Sequence, residues 1–170
     1  EGSDATLTGN TDCSNTTDMD GGGLFVDYSS ITMTSNTVCS NTARYSGGGL
    51  MLYDNSSATM TGNTVCNNTA AQQYGYGGGL YLGGSDVTLT GNTVCSNTAY
   101  DNGGGLCMYG SGVTLTNNII ADNQTNAQGS GLYLMGSVRL LHTTIARNGG
   151  GDGSGVYVTG NSTVALTNTI

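Results

Sequence analysis

Apolar residues recur along this chain in short alternating triplets, each of which follows a small cluster of glycines. The clearest unit spans residues 77–102 and reads GGGLYLGGSDVTLTGNTVCSNTAYDN. The first apolar residue after the glycines lies 24 to 30 residues from its equivalent in the next unit; these residues are Leu24, Leu50, Leu80, Leu106, Leu132 and Val156. A repeat of this length that contains only strand and turn signals predicts a solenoid.

Three strand signals recur in each repeat. The first reads LYL at 80–82, the second VTL at 87–89, and the third is a single apolar residue, Val94. Because side chains alternate along a strand, Leu80 and Leu82 should be buried and Tyr81 exposed. Pairing of each strand with its equivalent in the next repeat predicts an all-β parallel β-helix. It would be a single domain over residues 1–170, with about six coils of about 26 residues and three short strands per coil.

Polar residues mark the corners of the predicted coils. An asparagine follows the third strand signal in every repeat: Asn15, Asn41, Asn68, Asn97, Asn123 and Asn148. Stacked amides can hydrogen-bond to one another and to turn backbone, so this column predicts an asparagine ladder. The glycines before the first strand permit the positive φ of a tight corner.

The middle residues of the first strands form an outward column that is rich in large apolar side chains. It contains Phe25, Met51, Tyr81, Tyr133 and Tyr157, with Cys107 at the remaining position. A continuous aromatic stripe on a rod is typical of a contact surface. We expect it to bind a protein or a glycan.

A second outward feature is a series of T-x-T pairs on the second strands. The pairs are Thr6/Thr8, Thr32/Thr34, Thr59/Thr61, Thr88/Thr90 and Thr114/Thr116, and Arg139 and Leu141 interrupt the series. Such arrays resemble the ice-binding face of insect-type antifreeze solenoids, which makes ice binding an alternative function. Threonine is also simply a favourable residue on an exposed strand.

Four of the five cysteines recur once per coil, at Cys13, Cys39, Cys66 and Cys95, and Ala121 and Ala146 continue their column. They are either small residues that fill a turn or partners in disulfides between adjacent coils, whose Cα atoms lie about 4.8 Å apart. Cys13–Cys39 with Cys66–Cys95 is one pairing and Cys39–Cys66 is another. Because no histidine joins the column, we expect no metal site.

The net charge of the chain indicates which classes of partner it can bind. The chain has 3 cationic side chains and 11 acids, a net charge of −8, which argues against nucleic acid as a partner. No apolar run approaches the length of a membrane span. The aspartates lie mostly in turns at different corners, whereas polysaccharide-processing enzymes need paired carboxylates or acids that bind calcium. We therefore expect neither an enzyme nor a cofactor, and polysaccharide processing remains a further alternative.

The GGGLYL…VTLTGNTVCSNTA unit resembles the repeats of polymorphic outer-membrane proteins, the right-handed β-helix passengers of bacterial autotransporters. The resemblance covers essentially the whole chain, although a cysteine column stands where serine or alanine is usual in that family. It implies a right-handed β-helix and an extracellular or cell-surface protein with an adhesive or structural role. Strand signals reach both ends of the chain, so we expect copies to associate end to end and laterally into a homo-oligomer, in a filament, sheath or surface layer.

Overall fold

The computed structural model describes residues 2–84 and 86–169, which fold into stacked coils built from parallel strands. The large sheet has eleven strands. Four carry the first strand signal: Leu24–Asp27, Leu50–Tyr53, Leu80–Leu82 and Val156–Val158. Five carry the second: Asp4–Thr8, Ser30–Thr34, Ser57–Thr61, Val87–Thr90 and Thr163–Thr167. Two longer strands, Leu106–Thr116 and Leu132–Leu141, run through both halves, so the two predicted strands of a coil belong to one sheet.

Two further sheets of six strands each complete every coil. The second sheet contains Thr11–Cys13, Thr37–Cys39, Thr64–Cys66, Thr93–Cys95, Ile119–Ala121 and Thr144–Ala146. The third contains Thr16–Thr17, Thr42–Ala43, Thr69–Ala70, Thr98–Ala99, Gln124–Gln128 and Gly149–Asp152. The sequence did not predict the third sheet, because a two-residue Thr-Ala strand is too short to show a periodicity. The described coils confirm the predicted all-β parallel solenoid of about six coils.

The core consists of columns of equivalent side chains along the axis. Leu80 pairs in register with Leu50 on one side and Leu106 on the other, and all three are fully buried. Val65 and Val94 form a similar column from the second sheet. Each fully buried side chain of this size contributes about 1.5–3 kcal/mol. The predicted burial of Leu80 and Leu82 is thus confirmed, whereas Tyr81 is half-buried rather than exposed.

Two asparagine ladders line the corners on either side of the second sheet. In the predicted ladder, Asn97 Nδ2 donates to Asn123 Oδ1 at 3.0 Å and to the Val65 carbonyl at 3.0 Å. Asn97 Oδ1 in turn accepts from the Asn68 backbone N–H at 2.9 Å. The ladder is confirmed. A second ladder, which the sequence analysis missed, repeats these bonds one corner earlier: Asn10, Asn36, Asn63, Asn92 and Asn118.

Each ladder asparagine follows a residue in the left-handed conformation, which turns the chain at the corner. Ser40 (φ 53°) precedes Asn41 and Ser96 (φ 56°) precedes Asn97. Such φ values are uncommon outside glycine, so the bonded asparagine holds the turn in place.

The glycine clusters serve two purposes. Gly77 has a φ of 65°, as predicted, whereas Gly78 is required because a Cβ there would collide with the carbonyl oxygens of Thr98 and Gly104.

Candidate contact surface

Four tyrosine rings lie next to one another along the outer face of the large sheet in four successive coils; two neighbouring pairs are tilted and one is stacked. Ring centroids are 5.7 Å apart for Tyr81 and Tyr109, 5.8 Å for Tyr109 and Tyr133, and 5.5 Å for Tyr133 and Tyr157. These separations lie within the favourable range for aromatic pairs. We call this set the tyrosine row. Its members are all partly exposed, so part of each side chain is accessible to a partner.

The tyrosine row differs from the predicted stripe at one important position. Cys107 points outward as predicted and pairs in register with Tyr81 and Tyr133, but it is fully buried. The ring of Tyr109, two residues further along the same strand, fills the space between Tyr81 and Tyr133. A small side chain at 107 leaves room for that ring. At position 107 the outward column is therefore covered by the side chain of Tyr109.

The predicted stripe is also interrupted at Met51, which is only 6% exposed. In register it lies between Phe25 and Tyr81, whose larger rings flank it. Phe25 itself is 49% exposed and pairs with Tyr53 at 6.4 Å. The predicted stripe is therefore two separate patches: a small one at Phe25 and Tyr53, and the tyrosine row. The sequence signal for the tyrosine row was Tyr109, which lies two residues after Cys107 and therefore on the same face of the strand.

Burial fixes the protonation state of two phenols in the tyrosine row. It raises the pKa of Tyr81 and Tyr109 well above the ordinary value for a phenol, and nearby Cys107 reinforces the effect at both. Tyr76, which meets the ring of Tyr109 edge-on at 6.4 Å, also has a raised pKa, chiefly through burial. The phenols of Tyr81 and Tyr109 stay protonated at any physiological pH, so they remain hydrogen-bond donors.

The threonine array lies on the second half of the large sheet and is in register throughout. Thr32, Thr59 and Thr88 are paired neighbours and exposed, and Thr114 continues their column. The second column contains Thr34, Thr61, Thr90 and Thr116. In the next coil Thr114 pairs with Arg139, and Thr116 pairs with Leu141. The array thus presents hydroxyl and methyl groups at regular spacing and ends where the sequence places Arg139.

The four cysteines of the column are the last residues of four strands in the second sheet. Cys13 and Cys39 are joined by a disulfide, with their Cα atoms 4.6 Å apart. Cys66 and Cys95 are partly exposed thiols, although they pair in the same register. The pKa of the Cys95 thiol is raised, chiefly by burial and to a smaller extent by the neighbouring Cys66. The predicted pair Cys66–Cys95 is therefore in register but not bonded.

The part of the chain that the structure describes contains one surface ion pair. Arg147 forms an ion pair with Asp122 at 2.7 Å, and this exposed partner lowers the pKa of the carboxyl group. Among the described residues no group of three or more His, Cys, Asp or Glu side chains could hold a metal ion. The same part of the chain contains no helix that is long and apolar enough to span a bilayer.

One acid occupies a core position. Asp12 pairs in register with Val38, and partial burial raises its pKa, although a hydrogen bond from Asn15 opposes the shift. At Asp12 the folded state therefore binds a proton more readily than the unfolded chain, and the contribution of Asp12 to stability falls as pH rises from about 3.8 through the raised pKa. We expect Asp12→Val to raise the melting temperature more at pH 7 than at pH 3. Equal shifts at both pH values, measured by circular dichroism, would contradict this.

One family model matches the chain, described as a right handed beta helix region, and it covers residues 1–94 and 22–170. The protein therefore belongs to the right-handed β-helix family. No curated protein and no solved structure matches the chain.

Proposed function

We propose that this protein is a non-enzymatic extracellular or cell-surface scaffold that binds an extended, neutral polysaccharide along the tyrosine row. The observation that carries the proposal is the row of four partly exposed, neighbouring rings, whose centroids are 5.5 to 5.8 Å apart. The exposed parts of these rings repeat from coil to coil, and such a row of apolar and hydroxyl groups matches an extended polymer rather than a single sugar. Tyrosine supplies both apolar area and a hydroxyl group for hydrogen bonding.

The charge of the protein supports a neutral ligand. A net charge of −8 repels polyanions such as nucleic acids and acidic polysaccharides. The tyrosine row contributes no compensating positive charge, and burial keeps the phenols of Tyr81 and Tyr109 protonated. Hydrogen bonds and ring contacts therefore remain as the means of attraction.

The proposal is tested by co-sedimentation of the full chain with insoluble neutral polysaccharides: cellulose, chitin and starch granules. We expect at least one of them to retain the protein. We expect Tyr133→Ser to weaken binding by about tenfold or more, because aromatic residues at the centre of an interface contribute most of its binding energy. Tyr100→Ser is the control, since Tyr100 is 55% exposed and lies outside the row.

Equal retention of the Tyr133→Ser and Tyr100→Ser variants would contradict the proposal, as would the absence of binding to all three polymers. Circular dichroism should show the same β spectrum for both variants. If a protein partner occupied the row instead, no polysaccharide would retain the chain.

Ice binding is a second candidate, favoured by the register of the threonine array. Thr59 and Thr88 are exposed and aligned with Thr32 in successive coils, which gives a regular two-column face. Thermal hysteresis of the full chain tests it directly. This candidate predicts a measurable freezing-point gap that Thr59→Tyr, at the centre of the array, abolishes and Tyr133→Ser leaves unchanged. No gap at high protein concentration would rule it out.

Association between copies is a further part of the proposal. Val158 is 47% exposed and Leu166 56% exposed, whereas their paired neighbours Leu134 and Leu140 are fully buried. These apolar side chains and the strand edge beside them fit another coil. We expect the 170-residue chain to sediment as an oligomer whose size rises with concentration and falls in Leu166→Asp. A monomer at all concentrations would contradict this expectation.

A further inference from the structure

The four-cysteine column places a disulfide directly beside a free thiol. Cys39, which is bonded to Cys13, pairs in register with Cys66 on its other side. Cys66 in turn pairs in register with Cys95. Neighbouring parallel strands lie about 4.8 Å apart, so each of the three pairs has a Cα separation that a disulfide can bridge. The cysteines occupy the same position of the same Thr-x-Cys strand, and all are partly exposed.

We propose that this column is a thiol–disulfide exchange site along which a single disulfide moves from coil to coil. The Cys66 thiolate attacks Sγ of Cys39, the Cys39–Cys66 bond forms, and the Cys13–Cys39 bond breaks to release the Cys13 thiolate. Attack by Cys95 on Sγ of Cys66 then forms Cys66–Cys95 and releases Cys39. Each step conserves the number of disulfides and thiols, so no external oxidant or reductant is needed.

The parallel register makes this movement possible without rearrangement of the backbone. Exchange requires the attacking, central and leaving sulfur atoms to lie nearly in line, and the column aligns them along the solenoid axis. The three pairings also close loops of nearly equal length, so the entropy of the unfolded chain does not favour one strongly. Ala121 occupies the next position and ends the column, since Cys95 pairs with it.

Cys107 takes no part in the proposed exchange. It belongs to the large sheet and is fully buried beneath Tyr109, and burial raises the pKa of its thiol well above the ordinary range. A buried thiol with little thiolate reacts slowly. It therefore serves as an internal reference in the experiment that follows.

The test uses the full chain with Cys95→Ala, a change that copies Ala121 and leaves one disulfide to be shared by Cys13, Cys39 and Cys66. The Cys13–Cys39 isomer is purified at acid pH, where exchange stops, and then returned to pH 8.5. Cleavage before aspartate places each cysteine on a separate peptide, so mass spectrometry identifies every linkage. We expect conversion to a mixture of Cys13–Cys39 and Cys39–Cys66 within about tenfold of equal amounts, because the pairings are geometrically equivalent.

Persistence of the Cys13–Cys39 isomer alone at pH 8.5 in the folded chain would overturn the proposal, provided that the same isomer rearranges in guanidinium. Cys66→Ala is the matched control: its disulfide has no neighbouring thiol, and it should retain Cys13–Cys39 with Cys95 free. Linkage of Cys107 to any column cysteine in the folded chain would also contradict the proposal, because it would show that exchange does not follow the register. Exchange between chains would form covalent dimers, which denaturing electrophoresis without reductant distinguishes from exchange within one chain.

Discussion

Replacing Asn97 by alanine is expected to destabilise the protein by about 2–5 kcal/mol, since each buried polar group left without a partner costs about 1–3 kcal/mol. Asn97 is fully buried and bonds to both neighbouring coils. Its loss leaves the Asn68 backbone N–H without its acceptor and removes the donor to the Val65 carbonyl. The free energy of unfolding from a urea titration measures the effect.

The nearly isosteric Asn97→Asp variant separates hydrogen bonding from packing. It keeps an acceptor for Asn68 but places a carboxylate against the Val65 carbonyl and Asn123 Oδ1, to which Asn97 Nδ2 donates. We expect it to be severely destabilised at pH 7 and partly rescued at low pH, where the carboxyl group can donate. Asn126→Ala is the control, because Asn126 is exposed. If Asn97→Ala and Asn126→Ala were equally stable, the ladder would contribute nothing.

Truncation of the central core column is the second large effect. Leu80→Ala should cost about 2–5 kcal/mol, because it removes buried methylene groups and leaves a cavity between tightly packed neighbours. Leu80 is fully buried between Leu50 and Leu106. The two flanking coils cannot close the gap without losing the strand pairing on either side. The midpoint of urea unfolding should fall with little change in its slope.

Leu166→Ala is the matched control for the core truncation. It removes the same atoms from the equivalent of a core column, but Leu166 is 56% exposed. In dilute solution, where the chain is monomeric, we expect its cost to be below about 1 kcal/mol, since little apolar area leaves the protein interior. Equal costs for the two truncations would mean that the columns are not the source of stability.

The large-scale fold could be predicted from the sequence because a single repeat length sets both the strand register and the positions of the corners. The recurrence of Leu80 and its equivalents predicted the strand register that pairs Leu50, Leu80 and Leu106. The ladder through Asn97 was predicted for the same reason. The ladder through Asn92 was missed, although its signal was present: an asparagine two residues before the inward apolar residue of the second sheet, as Asn92 stands before Val94.

The contact surface could be predicted only in part. Strand alternation correctly placed Tyr81, Cys107 and Tyr133 on the outer face. It could not predict that Tyr109 covers Cys107, because this depends on how a large ring fills the gap above a small side chain in three dimensions. The periodicity likewise predicted an aligned cysteine column but left its pairing open, since all neighbouring pairs are equivalent by register.

Footprinting with hydroxyl radicals tests most directly whether the tyrosine row is the contact surface. The full chain is oxidised with and without the polysaccharide that retains it, and cleavage before aspartate then places Tyr100, Tyr109, Tyr133 and Tyr157 on four separate peptides. The proposal predicts that the bound polymer protects Tyr109, Tyr133 and Tyr157, while Tyr100, outside the row, is oxidised as before. Oxidation of the three row tyrosines at an unchanged rate in the presence of bound polymer would contradict it.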